Sequence, residues 1–254
     1  FLKKTTSFVK GDFSGAFFQA GVAELTMACI CIGMTLHGGV IAACGTFFVF
    51  SDYMKPAVRM AALMELPVKF IWTHDAFRVG EDGPTHEPVE QEAQIRLMEK
   101  LKNHSGKNSM LVLRPADSLE TTECWRMAME NTDSPTGLIF SRQNIEQLPE
   151  GTDYAQAEKG AYIVAGSEEN PDVILVASGS EVSTLAAGAK LLREDGIKVR
   201  IVSCPSEGLF RSQPAEYQNA VLPCGAKIFG LTAGLPVNLQ GLVGCNGKVF
   251  GLES

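Results

Sequence analysis

Short runs of apolar residues alternate along the chain with longer segments whose apolar positions recur every three or four residues. The short runs are typical of buried strands, and the longer segments have the period of amphipathic helices. Their alternation predicts an α/β fold in which mostly parallel sheets carry helices on both faces. The predicted strands are Val68–Trp72, Met110–Leu113, Thr136–Phe140, Val173–Ala177, Val199–Val202 and Ile228–Leu231. The predicted helices are Val22–Leu36, Asp52–Glu65, Val89–Leu101, Asp117 to about Asn131, Val182–Glu194 and Pro214–Leu222.

Four of these helices carry more detailed expectations. The helix Val22–Leu36 is apolar on nearly all sides, which predicts that it is buried. Ser51 is a predicted N-cap for the next helix. Asp117 and Glu120 have the spacing of a capping box. The helix Val89–Leu101 is expected to pack through one apolar face, made of Val89, Ala93, Leu97 and Leu101.

A polar segment with Gly, Pro and Gln separates two sets of strands and helices. We therefore predict two consecutive domains, residues 1–145 and 161–254, joined by a linker at 146–160. Each domain is expected to contain a mostly parallel sheet with helices on both faces. The tail after residue 240 has glycines and short apolar pieces but no closing helix, so the second domain is expected to be incomplete at its end.

Two features of the first domain allow a structural and a functional interpretation. Glu24 is a carboxylate beside an apolar helix, where it needs a partner or a proton. An exposed glutamate in the first helical turn is the alternative, and the pattern alone favours it. Phe47, Phe50 and Tyr53, in and after the apolar run Val40–Val49, are three residues apart and share one side if the stretch is helical. Such a stripe usually means core packing, and a ring-stacking pocket is the alternative.

The loop Gly80–Glu90 concentrates polar side chains after the predicted strand Val68–Trp72. It contains four carboxylates, His86 and Thr85, and His74 lies just upstream. Its two glycines and two prolines exclude a regular strand or helix and restrict the backbone. Polar side chains on a stiff loop at the end of a strand are typical of functional loops, with a solvated acidic turn as the alternative.

Composition excludes several classes of protein. The 254 residues are 45% hydrophobic and 20% charged, which is typical of a globular protein. A net charge of −7 without a basic cluster argues against nucleic-acid binding. The apolar runs are too short to cross a membrane, and no secretory signal is visible. Seven cysteines without a C-x-x-C pair predict reduced core residues of a cytoplasmic protein, with no metal site.

Ser178–Glu181 joins a predicted strand to a predicted helix. A tight turn is the favoured interpretation, and an anion site on free backbone N–H groups is the alternative. The chain contains no dinucleotide fingerprint, phosphate-binding loop or nucleophile elbow.

Five motifs together resemble the transketolase family. The loop Gly80–Glu90 is very similar to that family's thiamine-diphosphate motif, and the other motifs follow in the family's order and spacing. They are Leu36-His37-Gly38-Gly39, Thr73-His74-Asp75, Leu113-Arg114-Pro115-Ala116-Asp117 and Ser141-Arg142-Gln143-Asn144. The resemblance covers essentially the whole chain and implies a pyrimidine-binding domain followed by most of a C-terminal domain.

The resemblance also implies that a large part of the enzyme is missing. A transketolase subunit is roughly as long again on its N-terminal side, and that half holds the diphosphate and a Mg²⁺ or Ca²⁺ ion. The family's metal signature, Gly-Asp-Gly followed by Asn, is absent here. We therefore expect a fragment, or one subunit of a split enzyme, that is inactive alone.

The cofactor residues that the resemblance implies lie near the start of the chain. Glu24 is placed at the glutamate that hydrogen-bonds the pyrimidine ring and so promotes loss of the thiazolium proton. The family usually has Glu-Phe-Gly where this chain has Glu24-Leu25-Thr26. Phe47, Phe50 and Tyr53 match the aromatic pocket around the pyrimidine, with Phe47 stacked on the ring.

The substrate residues that the resemblance implies are His74, Asp82, His86 and Arg142. The two histidines match those that hydrogen-bond substrate hydroxyls and relay protons. Asp82 matches the residue that recognises a sugar hydroxyl, and Arg142 matches a contact to the substrate phosphate. The implied reaction transfers a two-carbon ketol unit from a ketose phosphate to an aldose phosphate, within the pentose phosphate pathway, in a homodimer.

Two alternatives remain open at this point. Another thiamine-diphosphate enzyme, such as deoxyxylulose-phosphate synthase or the beta subunit of a 2-oxo-acid dehydrogenase, shares the fold and the glutamate. A non-catalytic assembly module that kept the fold is the second alternative. The histidine pair with Asp82 and Ser141–Asn144 favours transketolase over the other enzymes. Decayed sites would be expected to lose Glu24 or the histidines, and the chain keeps them, which argues against the assembly module.

Overall fold

The computed structural model describes residues 6–165 and 170–253. Helices and strands alternate in two successive groups within these residues, and each group builds one sheet. A short 3₁₀ turn, Phe48–Phe50, lies in the first group. The regular elements of that group are α1 (Glu24–His37), β1 (Ala43–Phe47), α2 (Ser51–Leu63), β2 (Lys69–Thr73), α3 (Gln91–Lys100), β3 (Leu111–Leu113), α4 (Ser118–Glu130) and β4 (Thr136–Ile139).

The first sheet has parallel strands in the order β1-β2-β4-β3. Adjacent residues of β4 face opposite sides: Leu138 packs in a cluster with helix α4, and Ile139 in a cluster with α1, α2 and α3. At Gly137 a Cβ would lie 2.6 Å from Trp72 Cζ3, so the missing side chain makes room for a fully buried tryptophan. Helices therefore cover both faces of this sheet.

The second sheet has the strand order β5-β7-β6-β8-β9, in which only the β5–β7 pair is antiparallel. Leu185 of helix α5 packs on one face and Leu239 of helix α8 on the other. The predicted fold class is confirmed, with one antiparallel edge strand added. The elements of this group are β5 (Tyr162–Ala165), β6 (Val173–Ala177), α5 (Glu181–Glu194), β7 (Val199–Ser203), α6 (Glu207–Arg211), α7 (Ala215–Val221), β8 (Ile228–Leu231), α8 (Val237–Val243) and β9 (Lys248–Phe250).

Every strand and helix predicted from the sequence is present, with ends shifted by at most two residues. The sequence missed strand β1 inside the apolar run Val40–Val49, the shorter elements β5, α6, α8 and β9, the 3₁₀ turn Phe48–Phe50, and the 3₁₀ helix Tyr154–Lys159 inside the predicted linker. Helix α8, which runs into the start of the tail, and strand β9 within it were not predicted, and the incompleteness of the second domain at its end stays a prediction. The domain boundaries remain a prediction, and their ends at residues 1–5 and 254 lie outside the described residues.

The expectation that the first helix is buried on nearly all sides is wrong. Only Ala28 and Cys31 of α1 are buried, because the helix packs through one side against α2 and β1. Its other apolar side chains face outward, and Val22 just before it is 98% exposed. The exposed members of this apolar surface are Val22, Leu25, Ile30, Met34, Leu36, Val40 and Ile41.

Two local predictions about helices are also wrong. Phe50, not Ser51, is the N-cap of α2, and Ser51 is a fully buried first helical residue. In α3 the predicted apolar face is turned outward: Leu97 and Leu101 are exposed. The buried face contains one core residue, Ile95, and is otherwise polar, since α3 packs against α6 and α8 of the second group through charged side chains. By contrast, Asp117 is confirmed as an N-cap that accepts from the N–H groups of Leu119 and Glu120.

The cysteines are only partly the core residues that the sequence predicts. Cys31, Cys44, Cys124 and Cys204 are buried, whereas Cys29, Cys224 and Cys245 are exposed.

None of the helices in residues 6–165 and 170–253 combines the length and the apolar character that a membrane crossing requires.

Candidate active site

The predicted site residues lie where neighbouring parallel strands of the first sheet end. Phe47 is the last residue of β1, His74 follows the last residue of β2, and Arg142 lies just after β4. Because β1, β2 and β4 are adjacent and parallel, their carboxyl ends meet at one edge of the sheet. That edge is where open α/β sheets bind their ligands.

Five predicted side chains form one continuous group of rings, which we call the ring cluster: Phe47, Phe50, Tyr53, His74 and His86. The His74 ring stacks on Phe47 with centroids 3.5 Å apart. Phe50 lies 6.3 Å from Phe47 and 6.0 Å from Tyr53 in stacked orientations. His86 meets Phe50 edge-on at 5.2 Å. Tyr53 is exposed and the other four rings are partly exposed, so the cluster presents flat aromatic surface at the sheet edge.

Arg142 and the loop before His86 close the same edge. Gly80 has φ +94°, and a Cβ at this position would lie 3.2 Å from Arg142 Nη2, so the glycine allows the loop to lie against the guanidinium. A threonine hydroxyl lies beside each histidine: Thr73 Oγ1 is 2.9 Å from His74 Nδ1, and Thr85 Oγ1 is 2.8 Å from His86 Nδ1.

The electrostatics of His74 reflect these neighbours. Partial burial lowers the pKa of His74 and the Arg142 charge lowers it further, while Asp82 and Asp75 act in the opposite direction. A lowered pKa keeps the imidazole neutral at neutral pH, so that it can both donate and accept a hydrogen bond. The influence of Asp82 and Arg142 also places both predicted substrate residues within electrostatic reach of His74.

The backbone of His74 is in an uncommon conformation, with φ +60°. The next residue, Asp75, is buried, and its Oδ2 accepts a hydrogen bond from Arg114 Nε at 3.0 Å and lies 2.8 Å from Arg114 Nη2 in the same ion pair. Asp75 and Arg114 stand inside motifs that the sequence analysis used, yet no role was predicted for either. Their pairing joins positions 39 residues apart, which no local pattern reveals.

Glu24 is the one predicted site residue that the structure does not join to this group. It is the first residue of α1 and is partly exposed, which fits the first-turn alternative. Within residues 6–165 and 170–253, its carboxylate has no hydrogen bond or ion pair with these rings or with any other side chain. Its role stays a prediction.

The turn Ser178–Glu181 has a structural partner. Ser178 O and Oγ accept hydrogen bonds from Arg114 Nη1, at 2.8 and 3.2 Å, and Glu181 forms an ion pair with the same nitrogen. The favoured interpretation as a tight turn fits Gly179 at φ +63°. No group of three or more His, Cys, Asp or Glu side chains suited to a metal ion occurs in the described part of the chain.

Comparison with known families places this geometry in a class. A family model described as "Transketolase, pyrimidine binding domain" matches residues 3–147. A second, described as "Transketolase-like TK C-terminal domain", matches residues 160–254. The chain is thus similar to a thiamine-type pyrimidine-binding domain followed by the domain that accompanies it in transketolases.

Individual relatives agree with this class. The chain is 43% identical over 256 aligned residues to the transketolase of Bacillus subtilis (strain 168), an alignment that covers 99% of this chain and 37% of the relative. A solved transketolase from Leishmania mexicana superposes with a TM-score of 0.88 at 35% identity, covering 98% of this chain and 35% of that one. A chain described as "Split gene transketolase, inactive beta4 tetramer" shares the fold with a TM-score of 0.70 at 22% identity, covering 94% and 75%.

The chain therefore belongs to the transketolase family. It spans about a third of the length of the curated relatives that it matches, 37% of the Bacillus subtilis transketolase and 32% of the Halalkalibacterium halodurans transketolase. The predicted resemblance is confirmed at the level of the family.

Proposed function

We propose that this chain supplies the pyrimidine-binding and sugar-binding side of a thiamine-diphosphate-dependent transketolase site. The reaction of the complete enzyme is transfer of a two-carbon ketol unit from a ketose phosphate to an aldose phosphate. The ring cluster carries this proposal, because it brings two imidazoles and three aromatic rings together at the ligand-binding edge of a parallel sheet.

The ring cluster fits the flat, aromatic pyrimidine of the cofactor. Phe47, Phe50 and Tyr53 offer stacked and partly exposed faces, which suit a planar ring better than a closed core would. The carboxylate of Glu24 is the proposed acceptor or donor at a ring nitrogen, where it holds the proton that favours the imino tautomer. When bound, thiamine diphosphate supplies the carbon nucleophile of the transfer.

The polar residues at the same edge act on the sugar. His74 and His86 hydrogen-bond substrate hydroxyls and move protons as the carbon–carbon bond breaks and forms, and the lowered pKa of His74 suits a neutral imidazole in that role. Asp82 accepts from one sugar hydroxyl and so selects its stereochemistry. Arg142 offers a guanidinium to the substrate phosphate.

The site is completed by a partner outside this chain. The diphosphate and its Mg²⁺ or Ca²⁺ are held by a diphosphate-binding domain or subunit, and the apolar surface around α1 is where that partner or a second copy packs, in a homodimeric enzyme. The exposed apolar side chains of α1 support this part of the proposal, since large apolar patches mark interaction surfaces. The proposed setting is the pentose phosphate pathway of carbohydrate metabolism, in the cytoplasm.

Reconstitution tests the proposal. The chain alone is expected to bind thiamine diphosphate and Mg²⁺ weakly in isothermal titration and to show no turnover. Mixing it with the diphosphate-binding portion of the Bacillus subtilis relative should give ketol transfer in a coupled assay. Glu24→Gln should lower that activity by roughly 100-fold or more, as loss of a proton-transfer group does. Glu130→Gln, at an exposed position of α4, is the matched control.

A substrate panel separates the nearest alternatives. Ketose phosphates should be used as donors, while pyruvate and other 2-oxo acids should not. Turnover of 2-oxo acids would move the chain to another thiamine-diphosphate enzyme. Robust ketol transfer by the isolated chain would contradict the need for a partner, and no transfer by any mixture would favour an assembly module.

A further inference from the structure

We propose that Arg114 is a positioning residue for His74, and that the C-terminal domain takes part in the reaction by holding Arg114 through Ser178 and Glu181. This inference rests on the proposed role of His74 and gives the second domain a function that the resemblance did not supply. We call Arg114, Asp75, Ser178 and Glu181 the Arg114 network.

The conformation of His74 requires support from its surroundings. A φ of +60° is strained for a non-glycine residue and persists only where neighbouring contacts impose it. The rings of His74 and Phe47 are stacked at 3.5 Å, so a small change in this backbone moves the imidazole off the aromatic face. The contacts of the adjacent residue, Asp75, therefore bear directly on the position of the imidazole.

Arg114 holds Asp75 through a hydrogen bond from Nε at 3.0 Å and an ion-pair contact from Nη2 at 2.8 Å, both to Oδ2. The side chains of both residues are almost completely buried, 1% and 2% exposed, so water does not screen or replace the pair. A planar guanidinium that meets a carboxylate oxygen through two of its nitrogens constrains direction as well as distance. Lysine, with a single ammonium on a flexible stem, cannot reproduce that constraint.

The second domain in turn fixes Arg114 from the opposite side. Its Nη1 donates to Ser178 O at 2.8 Å and pairs with Glu181. The backbone of Arg114 is bonded too, since Gly179 N donates to its carbonyl at 3.1 Å and its own N–H donates to Pro205 O at 3.0 Å. Each of these partners belongs to the C-terminal group of elements, so that domain sets where the guanidinium lies.

Gly179 shows how closely the two domains meet at this point. A Cβ there would lie 2.6 Å from Arg114 Cζ, and φ is +63°, so any side chain would displace the guanidinium. The Ser178–Glu181 turn is therefore shaped around Arg114.

Histidine NMR tests the link without requiring catalysis. The chain has four histidines, so the ring signals can be assigned and titrated individually. In Arg114→Lys and Glu181→Gln, the pKa of His74 should rise toward its ordinary value, because the ring loses part of its burial. In Arg114→Lys, the Asp75 carboxylate also loses part of its ion pairing, so it stabilises the protonated imidazole more strongly and raises the pKa of His74 as well. The other charged groups that face His74, which are Arg142, Asp82 and His86, are unchanged in both variants.

The controls in this experiment are internal and matched. His37 and His104 should titrate as before. Arg126→Lys makes the same substitution at an exposed arginine of α4 and should leave all four histidines unchanged. If circular dichroism shows that Arg114→Lys does not fold, the titration of His74 in Glu181→Gln and Ser178→Ala is compared with that in the wild type instead. An unmoved His74 in a folded variant, or equal shifts of all four histidines, overturns the inference.

The reconstituted enzyme supplies a second readout. In the same variants kcat should fall about tenfold or more with little change in the KM for cofactor, because misplacement of a catalytic group by about 1 Å is costly. The two proposals fail in different ways. A shifted His74 without any ketol transfer in the wild-type mixture overturns only the proposed function. Normal transfer with an unmoved His74 overturns only the positioning role.

Discussion

At the scale of single residues, Glu120 is an ionisable group in a fully buried site. Its Oε1 accepts from the hydroxyls of Tyr162 and Ser203, each at 2.8 Å, and its Oε2 accepts from the N–H of Ala116. Burial raises the pKa of Glu120 to about 7, although these hydrogen bonds act in the opposite direction. Two of the three partners come from the second group of elements, so ionisation of Glu120 destabilises the contact between the two domains.

This environment predicts a pH dependence of stability. The folded pKa of about 7 lies above the model-peptide value of 4.5, so the folded state binds the extra proton between these values. The free energy of unfolding should therefore fall as pH rises from about 4.5 to about 7, by about 3 kcal/mol in total from this group. Glu120→Gln cannot ionise and should show a flatter profile in urea unfolding at pH 5, 6, 7 and 8.

Glu130→Gln is the control on the same helix, since Glu130 is exposed. It should keep the wild-type slope. A Glu120→Gln profile parallel to that of the wild type would show that the buried carboxyl does not set the slope.

The cap at Asp117 was predictable because its partners lie within three residues. The buried environment of Glu120 was not predictable, because the two hydroxyls that it binds are 42 and 83 residues away in the sequence.

At the scale of elements, helix α3 is packed in an unusual way, with a polar face inward. Arg96 lies between Glu92 and Glu99 at 2.9 and 3.2 Å, and all three side chains are buried. Glu99 also accepts from Ser206 Oγ at 2.6 Å, and Asn238 Nδ2 donates to Glu92 at 3.3 Å. The helix therefore joins the two domains through charge-assisted hydrogen bonds.

Loss of the buried Arg96 charge should lower the free energy of unfolding far more than loss of an exposed apolar side chain from the same helix. Arg96→Met leaves two buried carboxylates without their shared partner and should lower the free energy of unfolding by about 3–5 kcal/mol. Leu97→Ala, on the exposed side of the same helix, should change it by about 0.5 kcal/mol or less. Urea denaturation of both variants checks the order, and a larger effect at Leu97 would contradict it.

The same helix shows where prediction from the sequence stops. Hydrophobic period placed α3 within two residues but selected the wrong buried face, because an apolar pattern carries no information about charged partners on another element. Strands β2, β3, β4, β6, β7 and β8 were predictable, since buried parallel strands are continuous apolar runs. Strand β5 and helices α6 and α8 were not, because elements of four to seven residues leave too short a pattern.

At the scale of the whole molecule, the buried contacts between the domains predict one cooperative unfolding transition. Both tryptophans, Trp72 and Trp125, lie in the first group of elements, so their fluorescence reports on that domain alone. Far-UV circular dichroism reports on both domains. The two urea transitions should coincide in the wild type, which is the test for two-state behaviour. In Arg114→Ala they should separate, whereas two resolved steps in the wild type would contradict the coupling.

The candidate site, like the fold, was only partly predictable from the sequence. The ring cluster was foreseen from motifs that resemble a known family, and the structure brings its members into contact. The Arg114 network was not foreseen, because it depends on how two domains meet. The relation of Glu24 to the rings stays a prediction, since the described contacts do not join them.

The outward-facing apolar side chains of α1 also have a consequence for the cell that makes this protein. Uncovered surface of this kind is what molecular chaperones bind and what leads to aggregation at micromolar concentrations. Any excess of this chain over whatever covers α1 would therefore be retained or degraded by proteases. If the proposed partner is a separate chain, the amount of this chain that persists would follow the supply of that partner.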